Sequence, residues 1–235
     1  MTDAVESSLV VSPLPECLAG AAERAVHDWL QRVAEAGGDQ PDAVWLAAIQ
    51  RAFGLSDFLR EQALRYPELL PAWIANGGLR MTQDPAQVRQ ALMVRLQGAA
   101  DEPSMHKVLR VFRREAMFRI IWRDLLKWAD YHETVRDMSA LADMCIDGAL
   151  DWVYADACRQ WGTPLGARDG QPQRMVVLGM GKLGAGELNV SSDIDLIFAF
   201  PHHGETTGGH RALDNQQFFT RVGQRLNQAL DKITA

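Results

Sequence analysis

Cysteine is scarce in this 235-residue chain: Cys17, Cys145 and Cys158 are odd in number and no two form a Cys-x-x-Cys pair. That argues against a disulfide framework or a cysteine-based zinc site and fits a reducing, cytoplasmic setting. Positive charge is in deficit as well. Lys and Arg total 24 against 30 Asp and Glu, a formal net charge of −6, so no global field is available to hold a nucleic-acid backbone. Nucleic acid is thereby disfavoured as a partner. The first residues, Met1 to Glu6, carry acids where a signal peptide needs bases, and no apolar run approaches the ~18 residues needed to cross a bilayer. A membrane partner is therefore not expected. Internal repeats and low-complexity tracts are missing too. What is present is an ordinary globular balance, 47% hydrophobic and 23% charged, in a length that allows one large or two small domains.

From Leu14 to about Trp161 the apolar spacing is helical, with turn-formers at Gly37–Pro41, Asn76–Gly78 and Asp101–Pro103 marking loops. Ser56 is placed to cap the helix through Phe58, Leu59 and Ala63, which should end before Pro67 because the residue preceding proline avoids the α region. Ser104 is expected to cap a long helix whose Val108, Phe112, Ala116 and Ile120 recur four apart, burying one side. Its other faces carry Lys107, Arg110, Arg113, Arg114, Arg119, Arg123 and Lys127. These read either as a solvated face with Glu115 and Asp124 as partners or as a surface for phosphates. A third long helix runs from about Glu133 to Trp161, stopped by Gly162-Thr163-Pro164.

Composition then changes. After the polar stretch Gly166–Gln173, short apolar runs at Met175–Leu178 and Ile194–Phe200 read as strands, and helical spacing resumes from Leu213 to Leu230 beyond the polar stretch His202–Gly209. The expected fold is α+β and predominantly helical: a helical block over 1–165, then a sheet-containing core over 174–235.

Between the two strands lies Gly179-Met-Gly-Lys-Leu-Gly-Ala-Gly-Glu-Leu-Asn-Val-Ser-Ser-Asp-Ile-Asp195. Its front half has the Gly-x-Gly-x-x-Gly form of a dinucleotide fingerprint, but that unit needs an uninterrupted helix and an acid about 20 residues on. Ala199 stands there instead, and Asn189-Val-Ser-Ser192 cuts the helix short. Nor is this a Walker A loop, since Leu183 follows Lys182. The back half is more specific. Asp193 and Asp195, two apart on an expected strand, would project from one face ~7 Å apart at Cα, a pairing that suits hard divalent cations such as Mg²⁺. Lys182 stands eleven residues before Asp193 at a strand-to-helix turn, where Gly181 lets a phosphate approach the backbone and the ammonium adds a charge. A phosphate cradle facing a metal-binding carboxylate pair is what phosphoryl or nucleotidyl transfer requires.

This arrangement resembles the polymerase-beta-like nucleotidyltransferase superfamily. Gly179 to Phe198 resembles more closely the signature of the bifunctional glutamine synthetase adenylyltransferase/adenylyl-removing family. The likeness extends to Ser56-Asp-Phe-Leu59 with Tyr66-Pro-Glu-Leu-Leu70, to Phe112-Arg-Arg-Glu115 with Arg119–Leu126, and to Leu213–Arg221. Glu187-Leu-Asn-Val-Ser-Ser-Asp-Ile-Asp195 and the Pro201–Gly204 and Gly208-Gly209 segments are similar to its N-terminal, adenylyl-removing half.

The resemblance implies phosphorolysis of AMP-tyrosine on glutamine synthetase to ADP and free tyrosine, with two Mg²⁺ on Asp193 and Asp195. It also implies phosphate or nucleotide (ADP, ATP) contacts at Gly179, Gly181 and Lys182, a hydrogen bond near the metals from Ser192, and a PII signalling protein as further partner. Gly184 and Gly186 read equally well as a tight turn, and His202-His203 as an exposed loop pair. The family's third carboxylate follows a segment like Leu230–Ala235, where this chain stops, so the expectation is an N-terminal piece, weak or inactive alone, with an incomplete nucleotidyltransferase sheet. Two other readings stay open: a non-catalytic module docking on glutamine synthetase or a PII protein, and a nucleotidyltransferase with another acceptor.

Overall fold

The computed structural model describes residues 13–231. In order they form α1 (Glu16–Glu35), α2 (Ala43–Leu55), α3 (Asp57–Arg65), α4 (Leu69–Ala75), α5 (Pro85–Gln97), α6 (Glu102–Leu125), α7 (Tyr131–Trp161), β1 (Gly162–Pro164), β2 (Val176–Gly179), α8 (Gly181–Gly184), β3 (Leu196–Ala199), β4 (Thr206–Gly208) and α9 (Asn215–Asp231). The α+β, mainly helical class is as expected. Packing divides the described residues into two compact units, those up to 82 with 117–134 and 83–116 with those from 135 on, so α6 and α7 each contribute to both.

In the first unit the sequence signals act locally. Ser56 Oγ accepts from Leu59 N–H at 3.2 Å, and α3 stops at Arg65 because Tyr66, before Pro67, has left the helical region. Its core holds Trp29 against Phe53, edge to face at 6.1 Å, and Phe118 stacked on Trp122. The last turns of α6 depart from expectation. Residues 117–123 are buried all round rather than on one side, Arg119 and Arg123 included. Those two belong neither to a solvated face nor to a phosphate surface. The turn after α4 leaves carbonyls without helical partners: Arg119 Nε donates to Gly78 O at 2.8 Å, while Arg123 reaches the carbonyls of Leu79, Arg80 and Trp128 and pairs with Glu133 at 2.6 Å. Both arginines satisfy buried backbone groups.

The second unit begins at α5. Gly148 of α7 sits so close to Leu96 and Met93 that a Cβ there would meet the Leu96 Cδ1 at 2.7 Å. The cap of α6 is Asp101, not Ser104: Asp101 Oδ1 accepts from Ser104 N–H at 2.8 Å and Ser104 Oγ from Asp101 N–H at 3.1 Å, a reciprocal capping box. Arg225 of α9 then bridges Asp156 of α7 at 2.6 Å and Glu102 of α6 at 3.3 Å.

Two antiparallel pairs follow, β1 with β4 and β2 with β3. The first pair was not legible in the sequence: the helix stop at Gly162-Thr163-Pro164 is also a strand, and the polar stretch 202–209 contains its partner. Gly162 has φ +86°, and a Cβ there would lie 2.4 Å from Thr207 O, so only glycine fits. In the second pair Val177 faces Phe198 and Leu178 faces Ile197. The inner face packs on α9, Phe198 over Gly223 and Phe200 stacked on Phe219 at 4.8 Å. The outer face leaves Val176, Leu178 and Ile197 each 49% exposed. No helix among the described residues is long and apolar enough to cross a membrane.

Candidate active site

The chain from Gly179 to Asp195 is a turn held between β2 and β3. Gly184 approaches β2 so closely that a Cβ would stand 2.4 Å from Gly179 O, which accounts for two of its glycines by packing alone. Gly181 differs. Its φ is +54°, yet a Cβ would find nothing within 4 Å, so the backbone there is open to a ligand. The helix it starts is a single turn of four residues. Its dipole is correspondingly small, and any cradle rests on the exposed backbone and on Lys182.

Asp193 and Asp195 lie just before β3 rather than on it, a correction to the expected strand from Ile194 to Phe200. The reason is the partner: Gly181 turns the opposite chain away, leaving one further ladder bond, Met180 N–H to Asp195 O at 2.9 Å. That bond fixes the backbone of Asp195. Both side chains are exposed, and among the described residues neither carboxylate has a hydrogen bond or an ion pair. Free, hard, acceptor-only oxygens two positions apart are a donor set that fits Mg²⁺. No group of three or more His, Cys, Asp or Glu side chains able to hold a metal occurs among the described residues.

The other expected residues gather on the same turn. Lys182 Nζ donates to Ser192 Oγ at 3.2 Å, which ties the glycine turn to the residue preceding Asp193. Ser192 Oγ in turn donates to Asn189 Oδ1 at 2.7 Å, and that oxygen also accepts from the Ser191 backbone N–H at 3.2 Å. Asn189 is thus the hub of the segment, a role that sequence analysis missed although Asn-x-Ser spacing is a common side-chain turn. Ser139 carried no such signal. From within α7 its buried hydroxyl accepts from Leu188 N–H at 3.0 Å and donates to Val135 O at 2.8 Å, hanging the turn on the helix. His202 and His203 stand apart: His202 O accepts from Asn215, and the ring of His203 lies edge-on to Phe200.

Known proteins resemble this chain in sequence. Residues 46–235 match the glutamate-ammonia ligase adenylyltransferase family. A bifunctional glutamine synthetase adenylyltransferase/adenylyl-removing enzyme of Pseudomonas aeruginosa is 50% identical over 227 residues, covering 94% of this chain and 23% of that protein. Proteins of the same description from Hahella chejuensis and Pseudomonas putida are 54% and 45% identical, over 80% and 94% of this chain. The chain spans 19% to 23% of the length of these relatives. It belongs to the glutamate-ammonia ligase adenylyltransferase family.

Proposed function

We propose that this chain is the adenylyl-removing nucleotidyltransferase part of a glutamine synthetase regulator in the cytoplasm, with residues 1–165 as its helical block and 174–235 as its nucleotidyltransferase core. The observation that carries the reading is the convergence of Gly181 and Lys182 with Ser192, Asp193 and Asp195 on one hydrogen-bonded turn. The Glu187–Asp195 motif supports the direction of the reaction, since it resembles the adenylyl-removing half. The names of the relatives support glutamine synthetase as the substrate.

In this reading Asp193 and Asp195 would hold two Mg²⁺, which when bound would neutralise charge on the phosphoryl oxygens. The protein supplies position and electrostatics. The Gly179–Gly181 backbone and Lys182 seat phosphate, and the Lys182–Ser192 bond ties that ammonium to the residue preceding Asp193. One phosphate oxygen forms a bond to the AMP phosphorus as the phosphorus–tyrosine bond breaks. The electron pair leaves on the tyrosine oxygen, which takes up the proton that the attacking hydrogen phosphate gives up, and ADP departs. A PII signalling protein is the proposed regulatory partner.

The test is a chimera in which this chain replaces the matching stretch of the P. aeruginosa relative, whose remaining sequence lies outside the match. Given adenylylated glutamine synthetase, Mg²⁺ and phosphate, the chimera is expected to release ADP. Release of ATP with pyrophosphate, and nothing with phosphate, assigns the chain to the adenylylating direction and overturns the reading. Binding of glutamine synthetase that survives Asp193→Ala with Asp195→Ala, without any release of nucleotide, favours a docking module.

A further inference from the structure

The exposed apolar face of β2 and β3 is continuous with the carboxylates. Leu178 pairs with Ile197 and Val176 with Ala199, so these four share one side of the ladder, as opposed residues and residues two apart do. The Met180 N–H bond to Asp195 O carries the same register onward, which sets Met180 opposite Asp195 and on that side too. Val176, Leu178 and Ile197 are each 49% exposed and Met180 44%. An apolar ribbon thus runs from Asp195 along both strands, away from the turn that carries Gly181 and Lys182.

Resting on the reaction proposed above, we infer that this ribbon is the acceptor subsite: it takes the apolar side chains that flank the modified tyrosine in an extended segment of the substrate protein. Direction favours that occupant. In-line displacement puts the entering and leaving oxygens on opposite sides of the phosphorus. Phosphate seated on Gly181 and Lys182 enters from one end of the carboxylate pair, so the tyrosine leaves toward the other end, where the ribbon starts. Length agrees. Met180 to Val176 is four residue steps, about 13 Å of strand, longer than one tyrosine side chain and matched by a short extended segment. Charge agrees as well, since neither Val176–Gly179 nor Leu196–Ala199 contains a charged residue to hold a nucleotide phosphate. A part of the protein lying permanently on the ribbon would also cover the Asp195 side chain, which shares that face. The ribbon is therefore left to a group that arrives and departs with the substrate.

The experiment measures binding of adenylylated glutamine synthetase to the chimera by sedimentation, with Mg²⁺ but without phosphate, so that no turnover occurs. Leu178→Thr with Ile197→Thr keeps residues suited to a strand and removes apolar surface. It is expected to raise the Kd for adenylylated glutamine synthetase about tenfold, with the Kd for ADP and the melting temperature unchanged. Leu178→Ile with Ile197→Leu keeps the face apolar and is expected to bind as the unaltered chimera does. Where the double threonine variant fails to fold, Leu178→Thr alone is expected to give a rise of about threefold. No binding by the unaltered chimera, unchanged binding in a folded threonine variant, or an equal loss of ADP binding each overturns the proposal. A melting temperature lowered by the threonines in step with the loss of binding does so too, since it means that the chain's own polypeptide covers the face. Phosphate added afterwards tests the reaction separately: binding as expected without release of ADP overturns the reaction and not the docking surface, and release of ADP with unchanged binding does the reverse.

Discussion

The end of α6 and the turn between β2 and β3 use charge in opposite ways. Arg123 is 3% exposed and its guanidinium meets three backbone carbonyls and Glu133, so its charge is spent on holding chain to chain. Asp193 and Asp195 are exposed, and among the described residues their oxygens hold nothing. A charge enclosed with partners is architectural, since removing either side strands the other in low dielectric. One left free on a rigid turn contributes little to the fold and is available to a ligand. Lys182 lies between these cases, exposed but held to Ser192.

That contrast can be broken by substitution. The largest effect is expected at Arg123→Met, which leaves Glu133 and several carbonyls without their donor. Denaturant unfolding should show a loss of about 3–5 kcal/mol, and a loss below about 1 kcal/mol would mean that the buried cluster is not architectural. Lys182→Ala should do the reverse: a fall of about 100-fold in ADP release by the chimera, with stability unchanged within about 0.5 kcal/mol. A melting curve measured beside the rate decides between those outcomes.

The smallest effect sharpens the comparison at a solvated charge with a structural task. Hydrogen bonds from the Ser104 side chain and backbone lower the pKa of Asp101 below its ordinary 3.8. A carboxylate whose folded pKa is depressed lends stability above its unfolded pKa and loses it as pH falls through the folded value. The capping contribution should therefore be present at neutral pH and fade below about pH 4. In Ser104→Ala, melting temperature plotted against pH should fall less steeply across that acid range than in the unaltered chain. Identical slopes would remove Asp101 from the account.

How far the sequence revealed this molecule follows the range of the interactions. Ser56, Pro67 and Gly162 act within a few residues, and the helix ends they mark are found where expected. The 188–195 segment was legible as chemistry because its residue types and spacing are local too. The burial of Arg119 and Arg123 was not, because the carbonyls of Gly78, Leu79 and Arg80 that they serve lie about 40 residues away in the turn after α4. The β1–β4 pair and the Ser139 bond to Leu188 depend likewise on partners distant in sequence. Alternation alone puts Asp193 and Asp195 on a strand, because it does not reveal where the opposite strand turns away.

The central claim is that the free carboxylates of the β2–β3 turn carry chemistry and not architecture. The most direct measurement is ADP release from adenylylated glutamine synthetase by the chimera bearing Asp193→Asn with Asp195→Asn, taken together with its unfolding free energy. The account predicts loss of at least about 1,000-fold in rate, with unfolding unchanged within about 0.5 kcal/mol. Undiminished release of ADP by the folded double variant would contradict it.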